Sequence, residues 1–298
     1  MSIKKIIKNK MAVKKIIKTK ILCLVFFIPV FSYSAWQGAG TETDPYLITS
    51  RECLEALADS ISVTQSVWVD NWSKNKYFIL MQDITDSVRT MIGFPKFQGH
   101  FNGQNYKITL AIDNQMVSSN VGLFARVDDG ATLSNIVVDG YVNGGSNGLY
   151  VAGAVGYCLL CTLTNITNLA AVNVTRHTTN AVAGGVVAYL NQGYVISSIN
   201  LGNITGTAYL VGGIAGRALG ATIMHCINYN FLKENNGFGG RVGGIVGVAD
   251  GGCTISNNFN SGVVEGGSNS KVGCIVGLND GGTVINNHYD KQMCGEEE

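Results

Sequence analysis

One six-residue segment recurs along most of this chain and limits the folds open to it. The clearest copies are Val211-Gly-Gly-Ile-Ala-Gly216, Val242-Gly-Gly-Ile-Val-Gly247 and Val272-Gly-Cys-Ile-Val-Gly277. Looser copies begin at Val121, Val151 and Ala183, so that successive copies start 30, 32, 28, 31 and 30 residues apart. A fixed period in this range marks a repeat architecture in which each unit buries its apolar face only against its neighbours. Helical units would show apolar residues every three to four positions. These units alternate small and large residues over four to six positions between Gly, Asn and Asp turns, which is the strand period.

Three rows can be aligned across the six units. In the first strand, the fourth position is Phe124, Ala154, Val186, Ile214, Ile245 and Ile275, and the second is Gly122, Ala152, Gly184, Gly212, Gly243 and Gly273. Residues two apart share a face of a strand, so the larger member is the expected core filler. The opposite face, positions one and five, is also apolar (Val211, Val242, Val272; Ala215, Val246, Val276), and a strand apolar on both faces is usually covered on both. That second face is therefore a candidate contact with another module or another chain. The second strand runs Thr132-Leu-Ser, Thr162-Leu-Thr, Val195-Ile-Ser, Thr222-Ile-Met, Thr254-Ile-Ser and Thr283-Val-Ile. Its middle residue is aliphatic and points inward. Beyond it stands a row of Asn168, Asn200, Asn228 and Asn260, each able to hydrogen-bond its own copy one coil away.

These rows predict an all-β fold, a right-handed parallel β-helix of about six ~30-residue coils over residues 121–298. A solenoid with sandwich-like sheets is the alternative. Residues 35–120 are expected to form a cap with the first irregular coils. Within them Thr49 and Glu52 have capping-box spacing, and Leu54, Leu57, Ala58 and Ile61 lie on one face of a helix suited to closing the end of a stack.

Residues 1–34 carry eight lysines and no acid, then an apolar run from Ile21 to Phe31 and a small-residue site at Ser32-Tyr-Ser34 before Ala35. This is the order of a secretory signal, with cleavage near Ser34/Ala35 and either Met1 or Met11 as its start. Secretion or display at the cell surface follows: the apolar run falls short of the roughly 20 residues a spanning helix needs, and no transmembrane segment is expected after cleavage. Removing the leader leaves 13 basic and 20 acidic residues, a balance of −7 that argues against a nucleic-acid partner. Cys158 and Cys161 form a lone CxxC with no second pair and no nearby His, so the cysteines read as small core fillers, not as zinc ligands.

The repeats resemble those of GLUG-motif proteins, exported bacterial proteins whose units centre on V-G-G-[LI]-V-G. The lead-in Ala35-Trp-Gln-Gly-Ala-Gly-Thr with Asp44-Pro-Tyr, and the stretch Phe101-Asn-Gly-Gln-Asn-Tyr-Lys-Ile108, are similar to that group as well. The tail around Tyr289-Asp-Lys-Gln resembles a segment that leads into further modules in such proteins. The resemblance implies a secreted or surface β-helical protein with an adhesin-like role and no catalytic motif.

Residues for chemistry are sparse. His177, His225 and His288 fall at unrelated positions of the repeat. Asp129, Asp250 and Asp280 precede Gly-rich turns, where Asp is ordinary turn chemistry. Arg126, Arg176, Arg217 and Arg241 would suit an anionic sugar but do not align in the repeat. The glycine runs lack the Lys-Ser/Thr of a phosphate loop, so no cofactor is expected. The candidate binding face is the outward Thr/Ser array: Thr132, Ser134, Thr162, Thr164, Ser197, Thr222, Thr254, Ser256 and Thr283. A flat, regular, uncharged surface of this kind suits sugar hydroxyls, a host or matrix protein, or ordered water. The leading expectation is a non-catalytic binding or adhesion module. The alternatives are a polysaccharide lyase or glycoside hydrolase on the same fold, a Thr-face ice-binding protein, and a structural spacer.

Overall fold

The computed structural model describes residues 36–63, 66–114, 118–176, 178–235 and 239–294. The lysine-rich leader, its cleavage site and His177 lie outside the described residues. What is described is nearly all β, built from parallel strands that stack as a solenoid of about eight turns, with one α-helix. One row of sheet partners shows the stacking: Tyr46, Phe78, Phe101, Leu133, Leu163, Val195, Ile223, Ile255 and Val284, each in register with the next. The stack therefore starts well before Val121, inside the segment expected to hold the cap and the first irregular coils.

Each repeat contributes to three sheets in turn. Sheet 1 has six strands, Asn120–Val121, Tyr150–Ala152, Val182–Gly184, Leu210–Gly212, Arg241–Gly243 and Lys271–Gly273. Sheet 2 also has six, Phe124–Asp128, Val155–Leu159, Val187–Asn191, Ala215–Leu219, Val246–Asp250 and Val276–Asp280. Sheet 3 holds the remaining strands, including the Thr/Ser strands and the short strands at the asparagine row.

The recurring glycine segment is therefore a corner. In the fourth repeat the sheet 1 strand ends at Gly212, Gly213 and Ile214 form a bend, and sheet 2 begins at Ala215. Gly212 and Gly243 are needed because a Cβ there would overlap the carbonyl oxygen of Ala215 or Val246. The bend also resets the alternation of faces. Val211, Ile214 and Ala215 all turn inward and belong to one core cluster, as do Val242, Ile245 and Val246. The expected second apolar face is thus not a free face. Its rows are buried in the chain's own core through five units, and only in the last does Val272 become 42% exposed.

The first repeat is one residue shorter at this corner. Phe124 pairs with Val155, so it belongs to the fifth position and not the fourth. There it packs on Phe97 and Phe101, with ring centroids 5.2 and 5.5 Å away.

The asparagine row forms as expected. Asn168, Asn200, Asn228 and Asn260 are fully buried, and each Nδ2 donates to the Oδ1 of the next, all three bonds at 2.8 Å. Each side chain also ties its own turn; Asn200, for example, donates to the carbonyl of Gly202 and accepts from its N–H. Gly213 and Gly244 pack directly against Asn228 and Asn260, which leaves no space for a side chain at either position.

At the N-terminal end, helix Arg51–Ser62 buries Cys53, Leu54, Leu57, Ala58 and Ile61 against the first coils, on the expected face. The capping box does not form. Ser50, one residue later than expected, is the N-cap, which places Cys53 at the third helical position, and both Thr49 and Ser50 hydroxyls meet its sulfur. Cys158 and Cys161 are not independent fillers. They are joined in a disulfide around the turn Leu159-Leu160, where Leu160 takes a left-handed φ of 55°.

Candidate functional site

The Thr/Ser array is present only in part. Its first column reads His100, Thr132, Thr162, Tyr194, Thr222, Thr254 and Thr283, and its second Asn102, Ser134, Thr164, Ile196, Met224, Ser256 and Ile285. In the third coil the strand starts at Tyr194, one residue earlier than the sequence alignment placed it. Ser197 consequently leaves the face and joins a turn column of left-handed residues with Asn135, Asn165, His225, Asn257 and Asn286. Tyr194, 51% exposed, and Met224 interrupt the uncharged surface, and Ser256 is buried. A cleft of about 280 Å³ does lie at the N-terminal end of this face, bounded by Tyr77, His100, Asn102, Thr132 and Ser134. His100 stacks on Tyr77 at 4.4 Å and its Nδ1 is 2.9 Å from Thr132 Oγ1; burial holds its pKa below the usual imidazole range.

A more developed site lies at the corner between sheets 1 and 2. Because Val151, Ala183, Val211 and Val242 point inward, their strand neighbours must point out. The outward row of sheet 1 reads Asn120, Tyr150, Val182, Leu210, Arg241 and Lys271. The row facing it from sheet 2 reads Arg126, Tyr157, Tyr189, Arg217, Val248 and Leu278. The two rows are the walls of a crease whose floor is glycine and alanine. That floor is thin by necessity, since a Cβ on Gly216 would strike the Val182 side chain. Ala152, Val182, Ala188, Leu210 and Val248 form an apolar cluster of their own here, separate from the core, with Tyr150, Tyr209 and Leu278 half-buried against it.

Along these walls cationic groups lie beside aromatic ones. Tyr150, Tyr157 and Tyr189 pack together, with centroids 5.2 to 5.8 Å apart. Arg126 lies over Tyr157 at 4.8 Å, Arg217 over Tyr189 at 5.2 Å and Arg241 over Tyr209 at 5.8 Å. Arg126 grips Asp128 through Nε and Nη2 at 2.8 to 3.0 Å, and Arg217 bonds Asp250 at 2.7 Å. Burial raises the pKa of the Tyr150 and Tyr189 phenols. It also raises that of Asp128, against the pull of Arg126. The crease opens into a cleft of about 320 Å³ whose lining includes Tyr150, Leu210, Arg217, Arg241, Val248 and Leu278. A second opening of about 420 Å³ borders Asn120 and Arg126 at its other end.

The arginines therefore do align, contrary to the sequence expectation: Arg126 and Arg217 share a row and Arg241 faces it. The one-residue-shorter first repeat hides this in a count from Val121. Arg176 stands apart and donates to the carbonyl of Asn147. The three aspartates before Gly-rich turns do not share one row. Asp250 is in register with Asp280, but Asp128 and not Asp129 belongs to that line. Asp129 instead pairs with Lys96 and Gln98. Among the described residues no group of three His, Cys, Asp or Glu side chains is placed to hold a metal ion.

No protein-family pattern matches the chain. A candidate Gly-rich membrane protein of Evansella cellulosilytica is 26% identical over 137 residues, which are 40% of this chain and 15% of that protein. The chain thus spans a small part of that relative's length. Among solved structures, a candidate immunoglobulin A1 protease from Bacteroides ovatus is similar with a TM-score of 0.55, at 18% identity, covering 84% of this chain and 79% of that one. At that identity the likeness speaks for the solenoid fold alone. Among the described residues no helix is long and apolar enough to cross a membrane.

Proposed function

We propose that the protein is an exported, right-handed β-solenoid of the GLUG-motif type that serves as a non-catalytic binding module, holding an elongated ligand in the crease between sheets 1 and 2. The observation that carries this reading is the convergence of two side-chain rows, tyrosine, arginine and aliphatic, over a floor of glycine and alanine. A concave, largely apolar surface with a few oriented polar groups is the usual form of a ligand site. Tyr and Arg are the side chains that most often supply binding energy at protein surfaces. The Thr/Ser face is the weaker candidate, since Tyr194, Ile196 and Met224 break its regularity. Export is supported by the leader at residues 1–34 and agrees with the Cys158–Cys161 disulfide, a bond that persists in oxidising compartments. The non-catalytic reading is supported by the engagement of the crease carboxylates, Asp128 and Asp250, in ion pairs with Arg126 and Arg217.

An array of glycans and matrix proteins tests the proposal. The wild-type protein and Thr222→Tyr should bind the same ligands, and Tyr189→Ala should lose them. Loss in Thr222→Tyr with retention in Tyr189→Ala would move the site to the Thr/Ser face. Shortening of a bound polysaccharide by the purified protein would overturn the non-catalytic reading.

A further inference from the structure

The C-terminal half of the crease is chemically distinct from the rest. Arg217 from sheet 2 and Arg241 from sheet 1 line the same cleft, with a single carboxylate, Asp250, between the sheets' charged groups. Asp250 is committed to Arg217. Arg241 makes no ion pair among the described residues. Its Nη1 donates to the carbonyls of Gly239 and Gly240, while its Nε–H is buried without a hydrogen-bond partner. With no ion pair of its own, Arg241 leaves its charge unneutralised at the cleft, which favours an incoming anion. Next to these cations stand Tyr150 and Tyr209 and the apolar side chains of Leu210, Val248 and Leu278.

Resting on the crease as the binding site, we infer that its ligand is a carboxylate-bearing glycan, with carboxylates taken by Arg241 and Arg217 and sugar faces laid on the tyrosines and aliphatic walls. The planar guanidinium fork matches a carboxylate. The repeat length fits as well. Wall residues recur once per coil, about every 4.8 Å, comparable to the length of one pyranose unit. An extended peptide instead presents like-facing side chains about every 6.8 Å and falls out of step. Peptide capture by strand addition also needs a free sheet edge. Strands in the middle of the crease, such as Leu210–Gly212 and Ala215–Leu219, have partners on both sides. Charge density separates this glycan class from denser polyanions. The wall rows carry Arg126, Arg217, Arg241 and Lys271 in a chain whose residues 35–298 hold more acids than bases. That field disfavours a polyanion with more than one charge per unit spacing, such as duplex nucleic acid or a heavily sulfated chain.

Calorimetric titration with matched oligosaccharides tests the inference: an oligogalacturonate, its carboxyl-reduced neutral counterpart, and a sulfated oligosaccharide of equal length. The acidic sugar should bind, and reduction of its carboxyls should weaken binding at least about tenfold. Arg241→Gln should cost about 10- to 100-fold, as expected for removing a charge-assisted hydrogen bond of roughly 1.5 to 3 kcal/mol. Asp250→Asn, which releases Arg217, should strengthen binding several-fold, with circular dichroism confirming that each variant is folded. Equal affinity for acidic and neutral sugars, no binding of oligogalacturonate, or preference for the sulfated chain would overturn the inference. The crease itself would survive those outcomes if Tyr189→Ala still abolished capture of whichever ligand the array identifies. It would fall if Tyr189→Ala left that capture intact.

Discussion

Replacing Asn228 by alanine should be among the more damaging single changes in the solenoid, and the structure sets its size. Asn228 is fully buried and makes three hydrogen bonds through its amide: it accepts from Asn200 Nδ2, and donates to Asn260 Oδ1 and to the carbonyl of Asn230. At roughly 1 kcal/mol for each net bond the loss is about 3 kcal/mol. It does not grow much further, because Asn200 keeps the carbonyl of Gly202 and Asn260 keeps the N–H of Gly262. Asn168 stands at the end of the ladder and has an asparagine neighbour on one side only. Asn168→Ala should nevertheless cost about as much as Asn228→Ala, because Asn168 also makes three amide hydrogen bonds, donating to Asn200 Oδ1 and the carbonyl of Ala170 and accepting from the N–H of Ala170. Adding Gly213→Ala cannot fill the space vacated, since the new methyl would also strike the carbonyl of Gly244. Asn228→Asp should be worse than Asn228→Ala, because it sets a buried carboxylate oxygen against Asn260 Oδ1. Urea unfolding followed by circular dichroism measures these differences through the shift in midpoint at constant slope. If Asn228→Ala lost less than about 1 kcal/mol, the ladder would be a consequence of coil stacking and not a contributor to it.

Three further outcomes are expected. Gly212→Ala should cost several kcal/mol, because its Cβ would overlap a backbone oxygen, whereas Gly252→Ala, at a φ of 77° with open space around it, should cost only about 1 kcal/mol; thermal melts compare the two. Burial pushes the Cys226 thiol up to about 12, so iodoacetamide at pH 8 should label Cys226 only in urea, and labelling of the native protein would contradict its position. Asp128 has a pKa raised by burial, so the native state holds its proton more tightly than the unfolded chain does. Stability should fall as pH rises from the ordinary aspartate range through the raised value, and Asp128→Asn should flatten that part of the profile in urea titrations at stepped pH.

The period, the inward aliphatic row of sheet 3, the asparagine ladder and the apolar face of the capping helix were legible because each depends on spacing within one regular element. The crease was not, for a geometric reason. Two-residue alternation assigns faces correctly only while the strand continues, and the bend at Gly213-Ile214 puts Val211, Ile214 and Ala215 on the same side. One-residue offsets did the rest: the shorter first corner at Phe124 separated Arg126 from Arg217, and the early strand start at Tyr194 put Ser197 on a face it does not occupy. The Cys158–Cys161 pair lay open to both a packing and a bonded reading, since a disulfide depends on how tightly the intervening turn closes.

The thin floor of the crease has a consequence for how such a surface could diversify. Glycine and alanine hold the backbone geometry, and each coil then adds one side chain to either wall, much as a comb holds teeth of differing shape on a common spine. The sequence of wall residues, Asn-Tyr-Val-Leu-Arg-Lys on one side and Arg-Tyr-Tyr-Arg-Val-Leu on the other, can be rewritten position by position with little disturbance to the core beneath. Ligand preference and fold stability are in that sense carried by separate alphabets, written on alternate residues of the same strands.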